Sequence, residues 1–170
     1  MIKKEVLDAL NAKINAESYS AYLYLSMAAY YENMGLPGFA HWMKIQYQEE
    51  SAHAIKFFNY VAGRGGKVIL KAIDQVPIDF DGIVDVFDKT LVHEIHVTSL
   101  INNLMNVAIA ASDHASQSFF KWFVDEQVEE EANVEKILAT LKLINGQDNG
   151  IFMMDRELSQ RIFVDPNTAV

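Results

Sequence analysis

The chain contains no cysteine. Disulfides, thiolate metal sites, iron–sulfur ligation and a cysteine nucleophile are thereby excluded, so any metal must be held by oxygen and imidazole nitrogen. Basic residues are in deficit: 14 Lys+Arg stand against 23 Asp+Glu over 170 residues, a formal charge of −9. That balance argues against nucleic-acid and anionic-membrane partners, which need basic surface, and favours cations. The 3 prolines and 8 glycines are few, and most of them gather near 35–38, 63–66, 77–82 and 146–150. Long stretches are left free of helix breakers. A membrane-spanning apolar run is also missing. The longest segment without Asp, Glu, Lys or Arg is 95–112, and His96, Ser99, Asn102, Asn103 and Asn106 line one side of it. It reads as an amphipathic helix, not a span. The N-terminus, MIKKEVLDALNAKIN, carries charges throughout and lacks the apolar core of a signal peptide. The expectation is one soluble, cytoplasmic domain over 1–170, with a hydrophobic content of 51% sufficient for a proper core.

What is present is helical periodicity. Four long helices are expected at 4–34, 38–63, 82–111 and 115–145, with a short fifth at 154–163 and a tail at 164–170. Asp81 and Asp113 are candidate N-caps. The one β-like run, Lys67-Val68-Ile69-Leu70, falls in a connection. Each long helix carries a seam at spacings of three and four: Leu10, Ile14, Glu17, Ala21 and Tyr24 in the first; Phe39, Met43, Gln46, Glu50, His53 and Phe57 in the second; Phe87, Leu91, Glu94, Thr98 and Ile101 in the third; Phe123, Gln127, Glu130, Val134 and Ile137 in the fourth. Four seams predict an all-α four-helix bundle. The turns at 35–37 and 112–114 are short enough to make two hairpins. The connection at 64–81 is long: its 18 residues reach about 60 Å when extended. A helix of about 28 residues is only about 42 Å long. One crossover can therefore run the length of the bundle and set the second and third helices parallel, as in ferritin-like bundles.

Each seam holds one glutamate near its middle: Glu17, Glu50, Glu94 and Glu130. Glutamate is almost never buried unpaired, and the seams offer no Lys or Arg beside these four. Protonation or a bound cation is the remedy. His53 follows Glu50 by three, the spacing at which two side chains of one helix reach one metal. The spacings repeat: Glu17 to Glu50 and Glu94 to Gln127 are both 33, while Glu17 to His53 and Glu94 to Glu130 are both 36. Two related hairpins would bring all six residues to one height. Four carboxylates and an imidazole suit two divalent iron or manganese ions. Glu17, Glu50 and His53 are assigned to one, Glu50, Glu94 and Glu130 to the other, with Glu50 bridging. Gln127 is a weak neutral ligand or a hydrogen-bond donor to a bound oxygen species. Tyr24, one heptad beyond Glu17, is placed to hydrogen-bond the site or give up an electron. Glu49, Glu126 and Glu129 lie a quarter-turn off the seams and form a third, weaker cation site, an entry path or a solvated acidic face. Glu131, His93 and His96 read as surface, and His41 and His114 find no partner in the spacing. His93-Glu94-Ile95-His96 lacks the spacing of a zinc protease motif.

These residues also resemble a known family. NAKINAESYSAYLYLSMA around Glu17 and Tyr24, GFAHWMKIQYQEESAHA around Glu50 and His53, VHEIHVT around Glu94, and FFKWFVDEQVEEEA around Gln127 and Glu130 are similar to the non-haem bacterial ferritins over essentially the whole chain. The resemblance implies a hollow homo-oligomer of 24 subunits, a ferroxidase centre inside each bundle and a ferric mineral in the cavity. It implies two irons per centre, oxidised from Fe²⁺ to Fe³⁺ by O₂ or H₂O₂, on the residues assigned above. It matches Glu49, Glu126, Glu129 and Glu130 to a third iron site, Tyr24 to a tyrosine beside the centre and the fifth helix to one gathered at fourfold axes. Bacterioferritins, which resemble this fold, carry a haem-binding methionine directly after the bridging glutamate. Ser51 stands there, so no haem is expected. A di-iron or dimanganese redox enzyme without storage is the alternative, and a metal-free interaction bundle is the reading that the mid-core glutamates oppose.

Overall fold

The computed structural model describes residues 2–168. Its elements are α1 (Lys4–Asn33), α2 (Pro37–Gly63), α3 (Ile83–Ala110), α4 (His114–Ile144) and α5 (Asp148–Leu158), with no strand among the described residues. The four long helices match the expected spans to within a residue or so, and the predicted seams point inward. Leu10, Tyr24, Phe39, Met43, Phe87, Phe120 and Val134 are fully buried. Breaker chemistry sets the ends. Pro37 opens α2 at its first turn, where its missing N–H is harmless. The Asp113 side chain caps α4 by accepting from Ser116 N. Asn145 closes α4 in the left-handed conformation. Asp81 is not a cap. Gly82 occupies the N-cap position of α3, and Asp81 N instead donates to Asp85 Oδ2 at 2.8 Å.

The crossover runs along α1, so α2 and α3 are parallel. Asn11 accepts from Ile69 N at 2.7 Å and donates to Lys67 O at 3.1 Å. Further along, Ser26 donates to Pro77 O at 2.6 Å and Tyr30 to Phe80 O at 2.9 Å. Polar side chains of α1 thus satisfy the loop backbone that a strand partner would otherwise have to meet. This explains why the β-like run 67–70 is extended without joining a sheet.

The fifth helix corrects the expected boundaries. It begins at Asp148, six residues earlier, and ends at Leu158. Its apolar face, Ile151, Met154 and Leu158, packs on the core cluster containing Phe39 and Trp42. Asp155 accepts from Gly38 N at 2.8 Å and Phe39 N at 3.0 Å, supplying the cap that α2 lacks locally. The approach is so close that a Cβ on Gly38 would stand 1.7 Å from the Asp155 carbonyl oxygen. Gly38→Ala is therefore expected to undock α5, lowering the thermal midpoint and speeding proteolysis within 145–168. A digestion pattern identical to wild type would contradict this packing.

Candidate metal centre

The buried interior is two apolar clusters separated by a polar layer. One cluster holds Tyr24, Met27, Tyr31, Phe39, Met43 and Phe87; the other holds Leu10, Ile14, Phe57, Ile101, Phe120 and Phe123. Between them lie Glu17, Gln46, Glu50, His53, Glu94, Gln127 and Glu130, all buried. Every long helix contributes, because each seam passes through the same level at its glutamate.

Glu17, Glu50 and His53 form the tightest group: one ligand atom from each lies within 4.8 Å of the others. Glu17 Oε2 and Glu50 Oε2 are buried and accept no hydrogen bond among the described residues. Buried polar atoms are normally satisfied, and these oxygens are placed to accept from a donor or to ligate a cation. Burial holds the His53 imidazole down to about 4, outweighing the opposing Glu17 charge, so the ring is neutral and able to ligate. The ring is wedged edge-on against Trp122 and Phe123, with centroids 5.4 and 5.8 Å away, which fixes its plane.

Glu94 and Glu130 share the layer but stand outside this group, each held by neutral donors. The Tyr24 hydroxyl donates to Glu94 Oε1, and Gln127 Nε2 donates to Glu94 Oε2 at 3.1 Å. Gln46 Nε2 donates to Glu130 Oε2 at 3.1 Å. Gln127 is thus a donor to another residue of the layer. Burial, reinforced by the Glu94 and Glu50 carboxylates, pushes the Tyr24 phenol well up, so it remains a donor at neutral pH.

The charges are distributed unevenly. Burial would raise Glu17, but the Lys13 ammonium and then the neighbouring Glu50 hold it below the usual range. Burial and then the Glu17 charge drive Glu50 well above that range. Of the two neighbouring carboxyls, Glu17 is thus the more easily ionised and Glu50 the less. Burial and the Glu94 carboxylate raise Glu130 to about 8.

Lys13 overturns the expectation of no base beside these acids. Its ammonium lies 2.9 Å from Glu17 Oε1, with both side chains 2% exposed. Lys13 is one residue off the apolar seam, but its long stem carries the charge one turn along the helix to the seam position. His93 is also not surface. It is half-buried, with its Nε2 2.8 Å from Ser20 Oγ and its ring edge-on to Tyr24. Glu131 is half-buried too, accepting from the Thr98 hydroxyl. His41 has a partner after all, its Nε2 lying 2.8 Å from Arg161 O.

Glu49 is half-buried and paired with Arg161 at 2.6 Å, Glu126 is half-buried, and Glu129 is exposed. These three supply no close ligand group of the kind that Glu17, Glu50 and His53 form.

A helical bundle whose polar mid-layer converges unpaired carboxylate oxygens and a neutral imidazole belongs to the class of proteins that handle metal ions inside a four-helix core. A family model described as the ferritin-like domain matches residues 7–144. A bacterial non-heme ferritin from Bacteroides fragilis is 44% identical over 161 residues, covering 95% of this chain and 100% of the relative. One from Staphylococcus aureus is 37% identical over 163 residues, covering 96% and 98%. An open pore ferritin from the hyperthermophilic archaeon Archaeoglobus fulgidus superposes with a TM-score of 0.94 at 44% identity, over 95% of this chain and all of that one. The chain belongs to the ferritin family.

Two predictions follow from the charge distribution. Glu130 at about 8 retains a proton that the unfolded chain releases near its ordinary value of 4.5, so folding stability falls as pH rises between those values. His53 at about 4 has the opposite effect up to its ordinary 6.5, since there the unfolded chain binds the extra proton. The fall is therefore clearest from pH 6.5 to 8. Thermal unfolding of the metal-free protein should show a midpoint dropping over that window, and redox-inert Zn²⁺ should flatten the slope. A midpoint that is constant without metal would contradict the protonated mid-layer. Second, Lys13→Met leaves a buried carboxylate uncompensated and should cost about 3–5 kcal/mol. Adding Glu17→Gln should recover most of it, and a double variant no more stable than Lys13→Met would refute the pairing.

Proposed function

We propose that this chain is an iron-storing ferritin with ferroxidase activity, oxidising Fe²⁺ at the intra-subunit layer and passing Fe³⁺ to a ferric oxyhydroxide mineral inside a shell of 24 copies. The observation that carries the reading is the convergence of Glu17, Glu50 and His53 with two unsatisfied buried oxygens. The names of the bacterial relatives support storage of iron without haem. The acidic charge favours cations over nucleic acid. No helix among the described residues is long and apolar enough to cross a membrane, which agrees with a cytoplasmic role. Apolar side chains exposed on the crossover and its flank, Leu70, Ile73, Ile78 and Tyr22, provide surface for subunits to bury against each other.

Iron is the substrate. Entering Fe²⁺ meets a neutral His53, Glu17 beside Lys13, and Glu50, whose ionisation burial opposes until a cation arrives. Glu50, between the two halves of the layer, bridges to a second ion completed by Glu94 and Glu130. Carboxylates stabilise Fe³⁺ more than Fe²⁺, since the higher charge gains more from the same anions. Each Fe²⁺ gives up one electron: two ions and H₂O₂ yield two Fe³⁺ and two hydroxides, or two ions, O₂ and two protons yield two Fe³⁺ and H₂O₂. Hydrolysis of Fe³⁺ then releases protons. Tyr24 keeps Glu94 oriented through its hydroxyl, and Gln127 does so from the fourth helix. Glu49, Glu126 and Glu129 are the candidate ligands of a third iron.

Glu50→Ala is expected to slow iron oxidation on the order of 100-fold or more, because even outer ligand partners of metal sites contribute 10–100-fold. The readout is ferric absorbance after mixing Fe²⁺ with O₂ or H₂O₂. Oxidation by Glu50→Ala at the wild-type rate would refute the site. Mass separates storage from the alternative, a di-iron or dimanganese redox enzyme: 24 chains of 19.2 kDa make a particle of roughly half a megadalton that stays soluble and amber with iron. A small oligomer that oxidises iron but retains none would favour the enzyme.

A further inference from the structure

The C-terminal segment beyond α5 turns back along α2. Four contacts mark its course: His41 meets Arg161 O at 2.8 Å, Arg161 meets Glu49, Asn167 Nδ2 donates to Ala52 O at 3.1 Å, and Lys56 Nζ donates to Pro166 O at 3.1 Å. Arg161 meets α2 at 41 and 49, and Pro166 and Asn167 meet it further along, at 56 and 52, so the segment is a strap laid along the helix. At its centre Arg161 Nη2 lies 2.6 Å from Glu49 Oε2, with the two side chains only 20% and 17% exposed. The guanidinium also stacks over Trp42, 4.5 Å from the ring centroid. Its charge reaches Glu126 and Glu130 as well as Glu49. From the other side Lys56, its ammonium 3.9 Å over the Trp122 ring, also faces Glu126.

We infer that Arg161 is a resident cation, carried by this strap, that occupies the Glu49–Glu126 cluster and closes it to a third metal ion. The inference rests on the proposed reading of that cluster as potential iron ligands. A guanidinium stays charged at any pH the protein meets, so deprotonation cannot vacate the position. A tethered group competes at the high effective concentration of an intramolecular partner, whereas an incoming ion competes at its free concentration. The stacking on Trp42 and the backbone anchors on both sides hold the guanidinium in place without help from Glu49. In this chain the acidic cluster is therefore a structural ion pair, and the inner centre alone takes iron tightly.

Anaerobic titration of the metal-free shell with Co²⁺, read by visible spectrum, and with Zn²⁺, read by calorimetry, tests this without turnover. Wild type is expected to take two ions per chain tightly and Arg161→Gln three, with the third lost again in Arg161→Gln/Glu49→Gln. Arg161→Lys should remain at two. Gel-filtration mass verifies assembly of each variant, and a chain ending at Gln160 serves as a second form of the same test. If wild type already takes three, one of them lost in Glu49→Gln, the closure is wrong while the third-site reading survives. If Arg161→Gln and the shortened chain both stop at two, the cluster is no metal site and both ideas fail. Failure of the inner-centre reading would register separately, as tight binding unaffected by Glu50→Ala.

Discussion

The constraint on which the rest of the structure depends is the burial of four carboxylates at one level of a helical core. An ionised carboxylate loses several kcal/mol on leaving water, even after the surroundings relax. Four together cannot all remain charged without partners. The fold meets this by dividing its apolar interior into two clusters, one toward each end, with a layer of hydrogen-bonding side chains between. Stability is supplied by the clusters, and the layer is free to be chemically specialised.

Within the layer the charges are relieved incompletely. Lys13 pairs with Glu17, burial and the Glu17 charge disfavour ionisation of Glu50, Tyr24 and Gln127 hold Glu94, and Gln46 holds Glu130. What is left over is the functional part: Glu17 Oε2, Glu50 Oε2 and Gln46 Oε1 remain buried without a donor. A core designed only for stability would have paired or removed these atoms. The side chains that support the site are drawn from all four long helices, so the site is as rigid as the packing on either side of it.

The seams, the hairpins and the crossover were legible in the sequence because they depend on local periodicity and chain length. The ligand set was legible for a related reason: Glu17, Glu50, Glu94 and Glu130 interrupt apolar seams at repeated spacings, and His53 follows Glu50 at the reach of one helical turn. Lys13 escaped because seam counting treats each residue as lying where its Cα does, while a lysine stem carries its charge a full turn further. The signal was present in the i, i+4 spacing of Lys13 and Glu17. Arg161 had no such signal. Its partner Glu49 is 112 positions away, and their meeting depends on α5 turning at Asn145 and docking through Asp155. The start of α5 was misplaced for the same reason, since its register is set by contact with Gly38 and Trp42 more than by its own pattern.

The two halves of the layer are prepared differently for a cation. On the side of Glu17, Glu50 and His53 the ligand atoms already converge, and two oxygens have no donor to give up. On the side of Glu94 and Glu130 every hydrogen bond that now steadies a carboxylate has to be released or shared before that oxygen can ligate. An ion on the first side disturbs the Glu17–Lys13 contact. An ion on the second side additionally disturbs Tyr24, Gln127 and Gln46, and does so next to a charge already bound. In the proposed reading the bridging position of Glu50 links these events: an ion bound through one Glu50 oxygen holds the carboxylate charged for an ion on the other half. The first ion thus provides the ligand that the second requires, and the sequence of binding follows from which oxygens the folded chain leaves without a donor.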